Sequence, residues 1–270
     1  MTGVLVVDGI VPSGGEVLDL GSGLFRRVVA LDEVDSTQRV AREAAGEEGS
    51  SGGVLVFAGR QVGGRGRLGR EWGSPEGGLW LSLLIKPGYA PVFAPRMTQS
   101  AAVAVAGFLR DMGIAARIKW PNDLMVGGRK ICGVLAESSL TPGERGLKLD
   151  YVVIGIGLNV NLDPEDLGLS EYQATSVRRE LGRDVPLLEV LARLLPKLEK
   201  ELGRVEDFGE TLRELRSLSD TLGRRVRVRR LGEVVEGLAV GIDLEGALIV
   251  STENGLVKLS EGDVENLRGL

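Results

Sequence analysis

The sequence predicts an α+β fold, in which a mixed, largely antiparallel sheet with helices is followed by a small β module. Three observations lead to this prediction. Apolar runs of strand length mostly follow one another directly, whereas a βαβ series would place helices between them. Two longer segments have the apolar spacing of helices. After Gly223 the apolar residues alternate with polar ones, which is the period of strands with one exposed face.

The strands of the main domain are predicted from short apolar runs bounded by glycine or proline. They lie at residues 28–31, 54–58, 79–85, 114–120, 132–139 and 151–160, with one or two small strands within residues 1–27. Gly127 and Gly128 are expected to form a hairpin turn. The glycine-rich segments 46–53 and 59–78 are expected to be turn and loop.

Three helical segments are predicted from apolar spacing and end signals. They run from Asp35 to about Ala45, from about Pro95 to Gly113, and from Pro186 to about Leu218. In the first segment, Asp35 and Gln38 have the spacing of a capping pair. In the last segment, Pro196 is expected to kink or divide the helix, because proline lacks the N–H of a helical hydrogen bond.

The last 50 or so residues are predicted to form a small β-barrel-like module. Val226 and Val228 alternate with arginines, and further short strands follow, separated by a turn at Glu253-Asn254-Gly255. This change of pattern places a boundary near residue 222. It divides the chain into a main domain at residues 1–221 and a C-terminal β domain at residues 222–270.

Composition limits the chemistry that the chain can perform. It has no histidine and one cysteine, Cys132, which excludes imidazole-based triads, His-ligated zinc and thiolate clusters. What remains is chemistry performed by Lys, Arg, Asp and Glu, which can hold and neutralise anionic substrates. The net charge of −5 argues against general affinity for nucleic acid. Cys132 itself is expected to be a small buried apolar residue.

Export and membrane insertion are not expected. No run approaches the roughly 18 apolar residues of a membrane span, and the first residues lack the basic and apolar regions of a signal peptide. A single cysteine also fits a reducing compartment. The expected location is therefore the cytoplasm.

The loop at residues 63–72, GGRGRLGREW, has the composition of a phosphate-binding loop. Its glycines let backbone N–H groups approach an anion, and Arg65 and Arg67 supply permanently charged donors. The spacing is neither that of a P-loop nor that of a dinucleotide-binding turn. A flexible basic loop or an RNA contact would look the same, so a nucleotide- or RNA-binding module is the alternative from another functional class.

A second group of polar residues surrounds the expected hairpin turn, in KWPND at residues 119–123 and KICG at residues 130–133. If the turn forms, Asp123 and Lys130 lie close together across it. The lysine could then neutralise an anion, and the carboxylate could hold Mg²⁺ or accept a hydrogen bond. A surface ion pair is the alternative for these two residues, and a core position is the alternative for Trp120.

Two weaker signals complete the set. Residues 155–161, GIGLNVN, end an apolar strand with Asn159 and Asn161, whose amides need partners. A nucleotide or a structural hydrogen bond would supply them. Ser36 and Thr37 lie at a helix start, where capping alone would explain them.

In this order, the strings STQ, QVGGRGRLGREW, KWPND, RKICGVLAE and VIGIGLNVN resemble those of the biotin protein ligases, also called biotin–[acetyl-CoA carboxylase] ligases. The resemblance covers roughly residues 28–270, since ATS at 174–176 and the terminal β module also match. It implies the fold shared by class II aminoacyl-tRNA synthetases and biotin ligases, with an SH3-like barrel at the C-terminus. Because no helix-turn-helix pattern precedes the matching region, the expected form lacks the DNA-binding domain, does not bind DNA and is a homodimer.

The resemblance also implies an ATP-dependent ligase. Such an enzyme joins biotin to ATP as biotinyl-5′-AMP, releases pyrophosphate, and passes biotin to one lysine of a biotin carboxyl carrier protein. Activation brings together two anions that repel each other, so positive charge at their contact is the main requirement. ATP, Mg²⁺ and biotin are the expected small molecules. A lipoate or octanoyl ligase of the same superfamily is the enzymatic alternative.

Roles for individual residues follow from the same resemblance. Lys130 would bridge the biotin carboxyl and the α-phosphate, and Arg65 and Arg67 would close over the ligands. Chemical reasoning adds Asp123 as the candidate to orient or deprotonate the acceptor lysine in a chain without histidine, and Asp123 is also the candidate Mg²⁺ ligand. The implied biotin-binding residues are Ser36, Thr37, Gln61, Gly64, Arg65, Lys130 and Gly133. The implied ATP- and adenylate-binding residues are Arg67, Trp72, Trp120, Asn122, Lys130 and Asn159.

Three residues depart from the family pattern. Gln38 stands where many relatives have asparagine, so the role of that amide is open. Leu68 and Glu71 stand where others carry basic residues. These two changes are expected to alter how tightly the loop retains the adenylate.

Overall fold

A computed structural model of the protein describes residues 4–5, 23–47, 53–144, 146–167, 173–230 and 232–267. The strands of the main domain are β1 (Val4–Leu5), β2 (Phe25–Val34), β3 (Gly53–Gln61), β4 (Leu79–Ile85), β5 (Arg117–Lys119), β6 (Asp123–Val126), β7 (Arg129–Gly143) and β8 (Gly146–Leu158). Five further strands follow, β9 (Arg225–Arg230), β10 (Glu233–Ile242), β11 (Leu248–Thr252), β12 (Gly255–Leu259) and β13 (Asp263–Asn266). The α-helices are α1 (Thr37–Ala45), α2 (Ala94–Asp111), α3 (Val177–Leu181), α4 (Leu187–Leu202) and α5 (Gly209–Leu218). Most of residues 1–27 and part of residues 46–53, for which strands and a turn are predicted, lie outside the described ranges.

Within these ranges the strands form two sheets. The main sheet has the order β1-β2-β3-β4-β8-β7-β6-β5. β1, β2 and β3 pair in parallel, and the other neighbours pair antiparallel. The second sheet is antiparallel, with the order β12-β11-β10-β9-β13. The predicted α+β fold with a small C-terminal β module is confirmed.

Helices cover both faces of the main sheet because its strands alternate apolar residues between two cores. Val54 and Val56 pack with Ala41 and Ala44 of α1. Leu55, between them, belongs to the larger core that includes α2, α4 and α5. No helix in the described part of the chain is long and apolar enough to cross a membrane. In the described ranges, the result is a three-layer domain with α1 on one face and the other long helices on the opposite face.

Helix α1 begins differently from the prediction. Ser36 is the N-cap residue, and its side chain makes no capping hydrogen bond. Gln38 turns towards the sheet, where its amide nitrogen donates to the Val153 carbonyl at 3.2 Å. Asp35 forms an ion pair with Arg39 instead. The predicted capping pair of Asp35 and Gln38 is therefore wrong, because Gln38 finds its hydrogen-bond partners on the sheet.

The last helical segment is divided at residues 203–208 and not at Pro196. Helix α4 continues through Pro196 to Leu202, and α5 begins at Gly209. The apolar face of α4 is fully buried in the larger core, at Val190, Leu191, Leu194, Leu195 and Leu198. Burial of each such side chain contributes about 1.5–3 kcal/mol, so together they outweigh the roughly 3 kcal/mol that an internal proline costs. The expected division at Pro196 is wrong.

The hairpin around Gly127 and Gly128 forms as predicted, although the lengths of the neighbouring strands differ. Of residues 114–120, only Arg117–Lys119 is strand. Conversely, β7 and β8 reach beyond their apolar runs into a long, half-exposed hairpin that apolar patterning does not reveal. Cys132 is buried as expected, and burial raises the pKa of its thiol far above the usual range.

A turn at residues 243–247 attaches the small sheet to the main domain. The Gly246 carbonyl accepts hydrogen bonds from Trp120 Nε1 at 3.0 Å and from Gln99 Nε2 at 2.7 Å. Asp243 fixes this turn, because its Oδ1 accepts from the backbone N–H groups of Glu245 and Ala247, both at 2.9 Å. The geometry of the turn thus supports Trp120 of the KWPND segment.

Asp243 should make this attachment sensitive to acid. Burial alone would raise the pKa of its carboxyl, but hydrogen bonds from Lys258, Ala247 and Glu245 outweigh that effect and lower the pKa. The stabilisation is therefore complete above the pKa of unfolded aspartate, about 3.9, and is lost as pH falls through the lower folded value. We expect Asp243→Asn to reduce the free energy of unfolding at pH 7 by roughly 1–2 kcal/mol.

Urea denaturation at pH 7 and at pH 3 measures this effect. The variant should lose stability at pH 7 and lose less at pH 3, because pH 3 lies below the pKa of unfolded aspartate, about 3.9, where part of the stabilisation by the carboxylate is already lost. Glu253→Gln, which alters an exposed carboxylate in the turn between β11 and β12, is the matched control. An equal loss at both pH values would contradict the assignment.

Candidate active site

A cavity of about 590 Å³ opens beside the N-terminal end of α1. Its floor is the sheet face that carries α1, where Gly155 and Gly157 follow Val153 at alternate positions of β8. Gly133 of β7 lies opposite Gly157 in register. Ser82 of β4 lies opposite Gly155. These small residues leave open a space of the size that small-molecule sites usually have.

The polar wall of the cavity is a chain of hydrogen bonds that starts at α1. The side-chain oxygen of Gln61 accepts from the Thr37 backbone N–H at 2.9 Å. The amide nitrogen of Gln61 donates to Ser74 Oγ at 2.9 Å, and Ser74 Oγ donates to the Trp72 carbonyl at 3.0 Å. Gln61 is therefore fixed with both of its amide atoms in use.

This series of hydrogen bonds continues from Thr37 to the middle of the sheet. Thr37 Oγ1 lies 2.8 Å from Ser82 Oγ, which donates to Gln38 Oε1 at 3.0 Å. The Thr37 hydroxyl has a second partner within reach, Gln61 Oε1 at 3.1 Å, so either hydroxyl can be the donor in the Thr37–Ser82 bond. Side-chain capping does not explain these two residues. The Ser36 side chain makes no capping hydrogen bond, and the Thr37 hydroxyl takes part in this series of hydrogen bonds.

Two glycines are required by the close approach of these polar groups. A Cβ on Gly64 would lie 2.5 Å from the Trp72 carbonyl oxygen and 2.6 Å from Ser74 Oγ. A Cβ on Gly155 would lie 2.6 Å from Gln38 Oε1. Side chains at either position would separate the hydrogen-bonded groups.

The indole of Trp72 lies directly on the glycine floor. A Cβ on Gly157 would be 2.4 Å from the ring nitrogen, and one on Gly133 would be 3.3 Å from two ring carbons. Lys130 Nζ is 4.8 Å from the ring centroid, a distance typical of a cation–π contact. The ring N–H is buried and has no hydrogen-bond partner among the described residues. Trp72 therefore offers a bound molecule both an aromatic face and a donor.

Lys130 and Asp123 meet across the β6–β7 hairpin, as the sequence predicts. Lys130 Nζ lies 2.6 Å from Asp123 Oδ1, and both side chains are about 30% exposed, at 30% and 27%. Both line the cavity. The backbone of Lys130 also bonds residues 173–175, since it donates to the Gln173 carbonyl and accepts from the Thr175 N–H. The hairpin thus joins the KWPND, KICG and ATS segments in one wall.

Residues 63–72, here called the arginine loop, cover one side of the cavity. Arg65 is exposed and forms no ion pair within the described residues. Arg67 donates to Asn122 Oδ1 at 3.2 Å and to the Gly262 carbonyl at 3.1 Å. Arg70 forms an ion pair with Asp263. The loop therefore has one cation free for a ligand and two held by neighbouring segments.

Asn122 and Trp120 are held firmly below this loop. Asn122 Nδ2 donates to the Val134 carbonyl at 2.7 Å while its Oδ1 accepts from Arg67. Trp120 is 1% exposed, and its ring N–H is bonded to Gly246. The core position expected for Trp120 from composition is the one found, although the residue also borders the cavity.

The two asparagines of GIGLNVN have different surroundings. Both amide atoms of Asn161 are bonded to the backbone of Val185, so its role is structural. Asn159 donates to the Thr175 carbonyl at 3.0 Å, but its buried Oδ1 has no partner among the described residues. Asn159 lines the cavity and thus keeps one acceptor for a ligand.

The charge of the lining favours anions. Five cationic side chains border the cavity, Arg65, Arg67, Arg70, Lys119 and Lys130, against three carboxylates, Glu71, Asp123 and Asp263. This local excess occurs in a chain whose net charge is −5. No group of three or more His, Cys, Asp or Glu residues that could hold a metal occurs in the described ranges. The charge of the cavity lining therefore favours negatively charged groups.

The structure brings the predicted site residues together. All of them line this cavity except Gly64, which lies behind its polar wall. Composition and motif reasoning missed Ser82, Gly157 and Asp263 and gave Lys119 no role. Strand alternation could have placed Ser82 and Gly157 on one face. Asp263 gave no signal, because it lies 193 residues from its partner Arg70.

Two family models match the chain. The model of the biotin/lipoate A/B protein ligase family matches residues 30–159, which contain most of the cavity wall. The model of the biotin protein ligase C terminal domain matches residues 221–265, which form the small sheet.

Several known proteins are similar over most of the chain. The bifunctional ligase/repressor BirA of Bacillus subtilis (strain 168) is 36% identical over 246 residues, covering 89% of this chain and 74% of that protein. The biotin--[acetyl-CoA-carboxylase] ligase of Paracoccus denitrificans is 35% identical over 235 residues, covering 82% and 92%. The solved biotin protein ligase from Aquifex aeolicus in complex with biotin and ATP has a TM-score of 0.72 and 30% identity, covering 91% and 100%. By these matches over both sheets, the chain belongs to the biotin protein ligase family.

Proposed function

We propose that the protein activates biotin with ATP, forming biotinyl-5′-AMP and pyrophosphate, and transfers biotin to a lysine of a biotin carboxyl carrier protein. The observation that carries this proposal is the Lys130–Asp123 pair, placed in a cavity with a local excess of cations. Relatives are biotin--[acetyl-CoA-carboxylase] ligases, and a similar protein has been solved with biotin and ATP. These likenesses favour biotin as the acid and a carboxylase carrier as the acceptor.

In the first step, a carboxylate oxygen of biotin attacks the α-phosphorus of ATP, and pyrophosphate leaves. The contact of two anions needs a cation between them. Lys130 meets this need once a phosphate displaces Asp123 from its ammonium group. Arg65 and Lys119, which have no ion-pair partner in the described part of the chain, add charge for the leaving pyrophosphate.

The acid itself would lie on the floor beside Thr37 and Gln61. Biotin has a ureido group on an apolar bicycle, so it needs a few fixed polar groups in a mainly apolar pocket. The chain of hydrogen bonds through Thr37, Ser82 and Gln61 supplies such groups, and Leu135 lines the cavity beside Gly155. Gln38, which stands where many relatives have asparagine, accepts a hydrogen bond from Ser82 and so has a defined role in this series.

The second step requires a neutral amine. The lysine of the carrier attacks the acyl carbon, AMP leaves, and the amine loses a proton. Free lysine has a pKa near 10.4, and the chain has no histidine to accept the proton. Asp123 is the proposed acceptor of this proton after Lys130 has turned to the phosphate, and its position in the cavity lining supports the proposal. Asp123 therefore acts as the base or orienting group for the acceptor.

We expect Asp123→Asn to slow transfer from preformed biotinyl-5′-AMP to the carrier by about 10²-fold, the usual contribution of a positioned base. Formation of the adenylate should change less, because Lys130 remains. Single-turnover transfer and biotin-dependent pyrophosphate exchange measure the two steps separately. Asp150→Asn, which alters an exposed carboxylate of β8, is the control. Full transfer by Asp123→Asn would remove this role.

The function as a whole is tested with the wild-type chain. Purified protein is incubated with ATP, Mg²⁺ and a biotin carboxyl carrier domain, and carrier labelling is compared for biotin, lipoate and octanoate. Labelling with biotin alone supports the proposal. Exchange and labelling with lipoate and not biotin would instead identify a lipoate ligase. Salt-sensitive RNA binding without labelling would identify a nucleic-acid-binding module.

Mg²⁺ is proposed to enter with ATP. The side chains do not fit a metal held by protein alone, because the described residues form no acidic cluster and Asp123 is paired with Lys130. Mg²⁺ commonly binds through substrate phosphates and one or two carboxylates, and Asp123 is the proposed protein contact. When bound, the ion would shield the charge of the phosphates.

Further properties of the whole protein are proposed from the family resemblance. We propose a cytoplasmic homodimer that does not bind DNA, with a catalytic domain at residues 1–221 and an SH3-like domain at residues 222–270. The net charge of −5 supports the absence of DNA binding. Light scattering after gel filtration tests the dimer, and a filter-binding assay with duplex DNA tests the absence of DNA binding.

A further inference from the structure

The arginine loop has few contacts that fix it from within. Its internal bonds are those of a small hairpin, with Gly66 N–H donating to the Arg70 carbonyl at 2.7 Å and an isolated bridge between Arg65 and Glu71. Leu68 at its tip is 78% exposed and has a φ of 57°. No residue from 65 to 71 is buried. The position of the tip over the cavity must therefore depend on contacts with other segments.

Those contacts come largely from the C-terminal sheet. Arg70 forms an ion pair with Asp263, and the guanidinium of Arg67 lies 3.9 Å from Asp263 Oδ1. Arg67 also donates to the Gly262 carbonyl. Asn122 supplies the other side-chain contact of Arg67. Asp263 and Gly262 of the C-terminal domain thus bind Arg67 and Arg70, the two arginines of the loop that have protein partners.

The anchor on the small sheet is rigid. Asp263 is the first residue of β13 and pairs with Arg229 of β9. The next residue, Val264, is buried. Gly262 has a φ of 151°, and a Cβ there would lie 2.4 Å from Val228 Cγ1, so the turn before β13 has little freedom. A loop with few internal contacts is therefore tied to a well-packed point on the C-terminal sheet.

We propose that Asp263 is a positioning residue that latches the arginine loop over the cavity. This inference rests on the proposed function, because the molecule beneath the loop would be the acyl-adenylate made in the first step. An acyl-adenylate is a mixed anhydride that acylates any lysine it meets after escape. The latch gives the C-terminal sheet control over how long this intermediate is retained for the carrier.

Release of the intermediate tests the latch. Labelled biotinyl-5′-AMP is formed on the enzyme, chased with unlabelled biotin and ATP, and its retention is followed by filter binding. We expect Asp263→Ala and Arg70→Gln each to speed release about fivefold, near the upper limit for a partly exposed ion pair. Their combination should release no faster than Asp263→Ala alone, because that variant already removes the contact with Arg70. Asp263→Glu should restore much of the retention.

Glu265→Gln is the matched control, since Glu265 is on the same strand but pairs with Arg227 and Arg229 of its own sheet. Arg70 is 65% exposed, so Arg70→Gln remains informative even if Asp263→Ala fails to fold. Release rates of Asp263→Ala and Arg70→Gln that match Glu265→Gln would overturn the latch. Fully additive effects in the double variant would overturn it as well.

A second measurement separates the latch from the proposed function. Hydrogen exchange of residues 63–72 in the protein without ligands should be faster in Asp263→Ala and Arg70→Gln than in wild type and Glu265→Gln. Unchanged exchange would show that Asp263 does not hold the loop, whatever reaction occurs beneath it. Failure of wild-type protein to form any biotinyl-adenylate would instead reject the function while the exchange result stands.

Discussion

Replacing Lys130 with alanine is expected to reduce biotin-dependent ATP–pyrophosphate exchange by about 10²- to 10³-fold, the usual effect of removing one transition-state donor. The loss has two causes. The ammonium group that would lie between carboxylate and phosphate is removed. Asp123 is also left without its 2.6 Å partner, so a negative charge remains where two anions must meet.

The contribution of the unpaired Asp123 carboxylate can be tested separately. Lys130→Ala combined with Asp123→Ala should recover part of the exchange rate, because the unpaired carboxylate is gone. Lys148→Ala, an exposed lysine of β8, serves as the matched control and should behave as wild type. If Lys130→Ala retained exchange within about threefold of wild type, far above the expected range, the role assigned to Lys130 would be wrong.

Gly157→Ala is expected to lower kcat/KM for biotin activation by about 10²-fold, because misplacement of site groups by about 1 Å commonly has this effect. The new Cβ would lie 2.4 Å from the Trp72 ring nitrogen and 2.8 Å from a ring carbon. The indole is rigid and must therefore leave the floor. Its movement would also disturb Lys130, whose ammonium group lies 4.8 Å from the centroid of this ring.

Graded controls distinguish this effect from a general loss of stability. Gly133→Ala places its Cβ 3.3 Å from the same ring and should be milder. Gly241→Ala, on a strand of the small sheet, meets no atom within 4 Å and should leave kinetics unchanged. Thermal unfolding of each variant separates folding from catalysis. Equal kinetic losses for Gly133→Ala and Gly157→Ala would argue against the packing of Trp72 as the cause.

Local sequence patterns were sufficient to predict the elements that depend mainly on neighbouring residues. The buried strand at Leu79–Ile85 and the hairpin turn at Gly127-Gly128 were predicted because apolar runs and paired glycines report on neighbouring residues. The beginning of α1 and the break after α4 were not, since each depends on distant partners. Gln38 is held by the sheet, and Pro196 is tolerated because α4 is buried in the larger core.

In the candidate site, too, the features set by neighbouring residues were predictable and those set by distant residues were not. The hairpin made the proximity of Lys130 and Asp123 predictable, because the turn fixes which residues face each other. The resemblance to a known family supplied the cavity residues that share no local pattern, such as Thr37 and Gln61. Neither source indicated Asp263, whose role arises only when the small sheet packs beside the arginine loop.

The contrast among the three tryptophans has a practical consequence for spectroscopy. Trp80 and Trp120 are almost completely buried, and their ring N–H groups are bonded to the carbonyls of Pro75 and Gly246. Trp72 alone combines a half-buried ring, an unbonded N–H and a nearby ammonium charge from Lys130. Indole emission shifts with local field and hydrogen bonding, so we expect Trp72 to give the largest change on ligand addition, with a smaller one from Trp120, whose ring N–H stays bonded to Gly246. The unlabelled chain thus contains its own optical probe of cavity occupancy.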